Sequence, residues 1–273
     1  MSKKKVLIVT QEMSPYTTLS EISKAVHELA PHLHGNQMEI RVLMPRFGTI
    51  NERRHRLHEV VRLSGMNIIV DDDDYPLIIK VASLPGPVRM QVYFLDNEDF
   101  FKRKFIFEDG SEKPFADNAE RAVFFSKGVI ETVKKFGWPP DIIHVHGWMT
   151  SLIPFYLQTA YKNEPLFQQA KVVYSLYQSQ YEQQLGDQFI RKASINNLSE
   201  GDLDAYLHEG ELAVHKGAIA YADAVVKGSE EVSEETAAFL KASEKPVLDS
   251  QGEEAPAAIV EFYQSLLAEE VEN

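Results

Sequence analysis

Cysteine is absent from this sequence of 273 residues. Its absence excludes a disulfide scaffold, a thiolate zinc site, an iron–sulfur cluster and a cysteine nucleophile. Basic residues are also few: 28 Lys and Arg stand against 41 Asp and Glu, which gives a formal net charge of −13. Because nucleic acids and anionic membranes are bound through basic patches, the sequence predicts neither kind of partner.

Long apolar runs are missing as well. No stretch approaches the roughly 20 residues that cross a bilayer, and the apolar run after the basic N-terminus, residues 6–9, is too short for a secretory signal. Hydrophobic residues make up 44% of the chain and charged residues 25%, as in ordinary globular proteins. We therefore expect a soluble, globular, cytoplasmic protein.

The sequence also lacks the common phosphate-binding and catalytic motifs. It has no G-x-G-x-x-G after its first apolar run, no P-loop, no G-x-S-x-G elbow and no kinase motif set. No glycine lies between Thr10 and Gly35, so bulky side chains would keep a phosphate away from the backbone of the first loop. Dinucleotide binding is therefore disfavoured, and we predict no cofactor.

What the sequence does contain is an alternation of strand-like and helix-like segments. Residues 5–10 form an apolar run typical of a strand buried on both faces, and a helix predicted to start from a Thr18–Glu21 capping box follows. The other predicted strands are 38–43, 90–95, 141–146, 171–176 and 224–226, and the other predicted helices are 117–136, 150–161 and 209–222. The alternation predicts an α/β fold, an open and mostly parallel Rossmann-like sheet with helices on both faces.

Three regions are less regular. Residues 57–70 and 77–84 are predicted to be extended, with four Asp at 71–74 in a solvated hairpin turn, since the glycine and spacing of a calcium loop are missing. Residues 178–204 are predicted to form a long polar, partly helical excursion. Composition divides the chain into a sheet domain, 1–240, and a linker with an amphipathic helix, 241–273. That helix either packs back on the same domain or docks a partner, and we favour the first.

Polar side chains follow four of the predicted strands. Ligands of open parallel sheets bind at the carboxyl edge, so we predict a substrate site there, with these candidates: Glu12, Asp96, His144, His146, Trp148, Tyr177 and Gln178. Strand alternation places His144 and His146 on one face. They could bind a metal, form a hydrogen-bonding platform for a polar ligand, or be a structural pair. No third metal ligand is evident, so we predict no metal site.

Some of these residues have an ordinary structural alternative. Trp148 either fills the core or stacks on a sugar, and the sequence does not separate the two. Glu12 is expected to cap or pair locally instead of acting as a base. Arg46 is expected to tie to acidic neighbours instead of binding an anion.

Six collinear segments resemble a known family. They are TQEMSP at 10–15, VLMPRFGTI at 42–50, VYFLD at 92–96, DNAERAVFFSK at 117–127, PDIIHVHGW at 140–148 and KGAIAYAD at 216–223. Together they resemble the N-terminal domain of bacterial glycogen synthases and plant starch synthases, ADP-glucose-using glycosyltransferases of the GT-B type with two facing Rossmann-like domains. The resemblance implies a single GT-B-type N-terminal domain, with glucosyl transfer to an α-glucan as the family reaction.

The sequence departs from that family at the residues that meet the donor. In the first loop, the family has Lys-Thr-Gly-Gly-Leu where this sequence has YTTLS at 16–20. The family's His-x-His-Asp-Trp-His is replaced by HVHGWM at 144–149. The family's His-Asn after the next strand is replaced by Tyr177 and Gln178. The family's second, nucleotide-binding domain is expected to be missing. Transfer needs positive charge aimed at the leaving diphosphate, and the loss of one such contact typically costs ~10²–10³ in rate. We therefore expect the chain to be inactive alone.

Three functions remain open. The leading hypothesis is a catalytically incompetent component that either binds an α-glucan or malto-oligosaccharide or has a regulatory role. The second is an active glycosyltransferase completed by a nucleotide-domain partner chain or by a homodimer, in which His144, His146 and Trp148 face the sugar. The third is a protein-interaction module that uses the polar excursion and the last helix.

Overall fold

Continuous apolar runs form the strands of a mixed sheet in the computed structural model, which describes residues 3–86, 90–178, 185–186 and 188–268. The strands are β1 (Lys5–Thr10), β2 (Glu39–Pro45), β3 (His58–Glu59), β4 (Met66–Val70), β5 (Asp73–Ser83), β6 (Gln91–Asp96), β7 (Ile142–His146), β8 (Lys171–Leu176), β9 (Leu207–His208), β10 (Glu211–Leu212), β11 (Ala224–Lys227) and β12 (Val247–Asp249). The helices are α1 (Glu21–Gly35), α2 (Glu52–His55), α3 (Glu98–Phe101), α4 (Asn118–Phe136), α5 (Leu152–Gln158), α6 (Phe189–Ala193), α7 (Val214–Tyr221), α8 (Glu234–Ala242) and α9 (Ala255–Ala268).

The strand order of the main sheet is β12-β11-β8-β7-β1-β2-β6-β5-β3, and β4 pairs with β5. Neighbouring strands from β12 to β6 are parallel, whereas β5 runs antiparallel to β6, β3 and β4. Helices cover both faces: α1 packs against α9, while α4 packs against α5 and α6, and α5 against α7. The predicted open, mostly parallel α/β sheet is confirmed. Its parallel strands bring the carboxyl ends of β1, β7, β8 and β11 to one edge.

The first helix begins two residues later than predicted. Ser20 is its N-cap and accepts a hydrogen bond from the Ile22 amide at 3.2 Å. The Glu12 carboxylate accepts from the amides of Leu19 and Ser20, at 2.6 and 2.9 Å, and so holds the preceding turn outside the helix. The predicted capping box from Thr18 is wrong, because Ser20 is the N-cap and the Glu12 carboxylate binds the amides of the two residues before the helix.

Two other predictions are corrected by left-handed turn residues. The predicted helix 209–222 starts only at Val214, since Glu209 and Gly210 have φ of 52° and 88° and close the β9–β10 hairpin. The predicted extended segment 57–70 is broken between β3 and β4 by a turn that ends at Gly65, with φ of 79°. A positive φ interrupts both a helix and a regular strand.

A turn lies between β4 and β5 as predicted, but it contains only Asp71 and Asp72, since Asp73 and Asp74 pair with β4 as the start of β5. Asp71 has a φ of 57°, and its carboxylate accepts from Arg191 Nη1 at 2.8 Å and Lys192 Nζ at 2.6 Å. The turn is exposed, but the Asp71 carboxylate is bound by Arg191 and Lys192 of α6.

The segment that composition predicted to be a linker adds a strand to the sheet. β12 pairs in parallel with β11, and α9 then packs back on α1, as favoured from the sequence. In the predicted polar excursion, α6 and a 3₁₀ helix at Glu200–Tyr206 are helical; residues 179–184 and 187 lie outside the described residues. None of the helices in the described ranges is both long and apolar enough to cross a bilayer.

A glycine allows α7 to approach Tyr206. A Cβ added at Gly217 would lie 2.3 Å from Cγ of the Tyr206 ring, whose hydroxyl is anchored on the Ser151 carbonyl at 2.7 Å. We predict that Gly217→Ala lowers the free energy of unfolding by ~1–3 kcal/mol through overpacking, as measured by urea denaturation. Gly35→Ala is the matched control, since its Cβ would meet nothing within 4 Å. Equal effects of the two substitutions would contradict the prediction.

Candidate functional site

His144 lies inside the protein, between the sheet and the last helix. Its side chain is fully buried, and its ring stacks at a tilt on His146 with 3.9 Å between centroids. Nδ1 is 2.5 Å from the Tyr263 hydroxyl of α9, and Nε2 is 2.7 Å from the Ser175 hydroxyl of β8. Burial, with His146 beside it, lowers the pKa of His144 well below the usual value, so the ring is neutral. Because both ring nitrogens of His144 are hydrogen-bonded to other side chains, His144 cannot contact a ligand.

His146 is placed differently, although it is also buried. Its Nδ1 lies 3.2 Å from the Tyr177 hydroxyl, but its Nε2 has no hydrogen-bond partner among the described residues. Burial lowers the pKa of His146 to about 3 and raises that of Tyr177, so both groups are uncharged near neutral pH. His146 is therefore a neutral ring with one nitrogen left for another partner.

Tyr177 fits only because glycine stands opposite it. A Cβ at Gly228 would lie 2.4 Å from the Tyr177 ring. The next residue, Ser229, accepts from the Gln178 amide at 3.0 Å and donates to the Glu21 carboxylate of α1. The ends of β8 and β11 and the first turn of α1 are thus joined, while the Gln178 side chain is exposed.

A cavity of about 210 Å³ opens beside these residues, between α1, α9 and the ends of β7, β8 and β11. Of the candidate residues, it is lined by His146 and Tyr177. Its other walls come from Glu21, Lys24, Ala25, Glu28, Leu29, Val226, Gly228, Ser250, Gln251, Gly252, Ala255, Pro256 and Ile259. The cavity thus lies next to two of the predicted strand-end residues.

The remaining candidates do not reach this cavity. Glu12 is buried and binds the residues before α1 through both oxygens, Oε1 accepting from the Ser20 hydroxyl at 2.6 Å, so the expected local capping is confirmed. Asp96 lies in a separate ionic cluster: its Oδ2 is 2.8 Å from Lys80 Nζ and 3.5 Å from Arg46 Nε. Arg46 also pairs with Glu52, the structural tie that was expected.

Trp148 belongs to the core. It is buried in a 3₁₀ turn, Trp148–Thr150, and packs edge-on against Phe107 with 5.0 Å between ring centroids. Stacking on a sugar requires an accessible ring face, which Trp148 does not have. The core-filling alternative is therefore the correct one. The seven candidate residues do not come together in the single site that was predicted from the strand ends.

Sequence reasoning missed the residues that come from other elements. Ser175, Glu21 and Tyr263 complete the surroundings of the two histidines, and Tyr263 lies 119 residues from His144 in the chain. Alternation along β8 could have placed Ser175 on the same face as Tyr177, but no sequence signal locates Tyr263. Among the described residues, no group of three or more His, Asp or Glu is arranged to hold a metal ion.

The two buried imidazoles make stability depend on pH. In the unfolded chain each takes up a proton near pH ~6.5, whereas folded His146 does so only near 3. Between these two pH values the unfolded state therefore binds more protons than the folded state. The contribution of the neutral ring to the free energy of unfolding is fully present above about pH 6.5 and is lost as the pH falls below that value. We predict that His146→Gln reduces the slope of unfolding free energy against pH by ~1.4 kcal/mol per unit between about pH 6 and 4.

The measurement is urea denaturation at a series of pH values. His34→Gln, on the exposed part of α1, controls for the loss of an imidazole elsewhere. An unchanged slope in His146→Gln would contradict the assigned burial of a neutral ring.

Known proteins share both the sequence and the fold. Glycogen synthases from Chlorobium limicola and Chlorobaculum tepidum are 38% identical over 174 residues and 37% identical over 231 residues, which cover 63% and 83% of this chain. The same matches cover 35% and 46% of those proteins, so the chain spans less than half the length of these relatives.

The fold is similar to that of the catalytic domain of starch synthase IV from Arabidopsis thaliana, solved with ADP and acarbose. The TM-score is 0.75 at 19% sequence identity, over 90% of this chain and 51% of that one. The profile of the starch synthase catalytic domain family matches residues 5–244. That match covers most of the chain and confirms the resemblance read from the six segments: the chain belongs to the starch synthase catalytic domain family.

Proposed function

We propose that residues 3–268 form a glycogen- or starch-synthase-like glycosyltransferase domain that binds an α-glucan or malto-oligosaccharide and does not transfer glucose by itself. The glycosyltransferase class follows from the family. The proposal that the chain does not transfer glucose by itself rests on one observation. It is the pairing of cations with carboxylates at the carboxyl edge of the sheet. We also propose a cytoplasmic location, in keeping with a chain that has no cysteine.

Several cations at this edge are already paired with carboxylates. Lys80 contacts Glu52 and Asp96 at 2.7 and 2.8 Å, and Arg46 pairs with the same two groups. Near the cavity, Lys227 contacts Asp249 at 3.2 Å. A leaving diphosphate needs unpaired positive charge directed at it, and these paired side chains supply little.

The first loop adds no positive charge. Residues 11–20 contain neither Lys nor Arg. Tyr16 of this loop is buried and packs edge-on against Phe94 with 4.9 Å between ring centroids. A buried phenol, with a pKa that burial raises to about 12, cannot stabilise a developing phosphate charge as an ammonium group does.

The first test is a transfer assay with ADP-glucose and glycogen. We expect the purified chain to be at least ~10²-fold slower than the Chlorobaculum tepidum glycogen synthase under the same conditions, because even one lost cationic contact has that effect. Turnover within tenfold of the relative would overturn the proposal of inactivity. Activity of the chain only at concentrations at which it dimerises, or only with an added nucleotide-domain chain, would favour completion by a partner.

The second test is binding. Isothermal titration of the chain with maltoheptaose is expected to show saturable heat, with cellohexaose as the β-linked control. The reason is that the family fold at the carboxyl edge is retained while the groups directed at the donor diphosphate are paired or replaced. No heat with maltoheptaose up to its solubility limit would exclude glucan binding and leave the interaction-module alternative.

A further inference from the structure

Arg121 is a fully buried cation in the first turn of α4. Its Nη1 donates to Asn118 Oδ1 at 2.7 Å, and it forms no ion pair with any residue in the described ranges. The neighbouring carboxylate of Asp117 does not compensate its charge, because both oxygens of Asp117 accept from Arg103, at 2.8 and 2.5 Å. A guanidinium group thus lies in the core with one neutral hydrogen-bond acceptor.

Two of the three guanidinium nitrogens of Arg121 have no hydrogen-bond partner in the part of the chain that the structure describes. They are Nε and Nη2, and neither is accessible to solvent. These two nitrogens share one edge of the planar guanidinium, and their N–H bonds along that edge are parallel. Arginine uses such an edge to bind anions through two hydrogen bonds at once. One acceptor at this edge would therefore satisfy both donors.

Four aromatic rings surround the guanidinium, but they do not supply that acceptor. They belong to Phe47, Phe101, Phe107 and Phe115. Their centroids lie between 5.5 and 5.9 Å from Arg121 Cζ, close to the ~6 Å limit of a cation–π contact. Elsewhere in the chain, Arg41 lies 4.3 and 4.7 Å from the rings of Phe136 and Trp138. The rings around Arg121 are thus farther away than those that contact Arg41.

A third donor without a partner lies beside the same rings. Trp148 Nε1 is buried and has no hydrogen-bond partner among the described residues, and the Trp148 ring packs on Phe107. Burial lowers the pKa of Arg121 to about 9, so its guanidinium stays protonated at neutral pH. This part of the core therefore has donors without acceptors and a positive charge without a counter-ion.

A small anion fits these groups better than a water molecule does. Water could accept from the guanidinium edge, but it would leave the charge of Arg121 uncompensated, and an isolated buried charge is far more costly than a buried neutral group. Three of the four rings are fully buried, and only Phe115 is partly exposed. The enclosure therefore favours an anion of one atom over a phosphate or a nucleotide.

From the unpaired guanidinium edge and its enclosure we propose that Arg121 binds a chloride ion inside the domain, through Nε–H and Nη2–H. The loop of residues 102–117 contributes Phe107 and Phe115 to the enclosure, so the bound ion would hold this loop against α4. The proposal is independent of glucan binding, because none of these side chains lines the cavity beside His146.

The first test measures urea unfolding of the full chain over a series of chloride concentrations, with sodium gluconate keeping the ionic strength constant. One chloride bound only by the folded chain lowers the unfolding equilibrium constant about tenfold for each tenfold rise in chloride above its dissociation constant. We expect this dependence, and we expect bromide to reproduce it. Gluconate is too large for an enclosed site. An unfolding constant that is the same in chloride and gluconate would overturn the proposal.

Substitutions assign the chloride dependence to one side chain. Arg121→Leu removes the charge and should abolish the dependence. Arg121→Lys keeps the charge but lacks two parallel N–H bonds, so it should need at least about tenfold more chloride for the same effect. Arg41→Lys is the matched control, since Arg41 also contacts two aromatic rings but is only half-buried. Equal effects of Arg121→Lys and Arg41→Lys would overturn the assignment, and the lysine variants decide the outcome even if Arg121→Leu fails to fold.

The position of the ion is tested by crystallography of the full chain with bromide in place of chloride. We expect an anomalous scattering peak within hydrogen-bonding distance of Arg121 Nε and Nη2. A water molecule at that position without anomalous signal, or bromide peaks only at the protein surface, would overturn the proposal.

Discussion

The constraint on which much of this structure depends is the burial of two adjacent histidines at the end of β7. Two imidazoles with 3.9 Å between their centroids and no solvent cannot both be charged. As neutral rings they need hydrogen-bond partners, and three of their four nitrogens find them in Ser175 of β8, in Tyr177 just after that strand and in Tyr263 of α9. The hydrogen bond between His144 and Tyr263 therefore links the sheet to the C-terminal helix, in addition to the packing of α9 against α1.

A second constraint is the balance of charge at the carboxyl edge. The chain is strongly acidic, and its cations at this edge are held in pairs such as Lys80 with Asp96 and Lys227 with Asp249. These ion pairs stabilise loops at strand ends, but they remove the free positive charge that a phosphate-bearing ligand would require.

Elements with strong periodicity were predicted well. β1, β7 and β8 are continuous apolar runs, and α4 carries a regular apolar stripe, so local physics alone identifies them. β9, β10 and β12 have two or three residues each and no detectable period. They form because turns or neighbouring strands hold them in place, which is why composition predicts a linker after residue 240 and does not predict β12.

The candidate site also has some features that the sequence predicts and others that only the packing of the elements decides. The sequence by itself determined the fold family, the order of the strands along the chain, and the presence of His146 and Tyr177 at strand ends, because these follow from local patterns. Only the tertiary structure decided that Trp148 fills the core, that Asp96 pairs with lysine, and that Tyr263 reaches His144. Burial and hydrogen bonding between residues far apart in the chain arise only when the elements pack together.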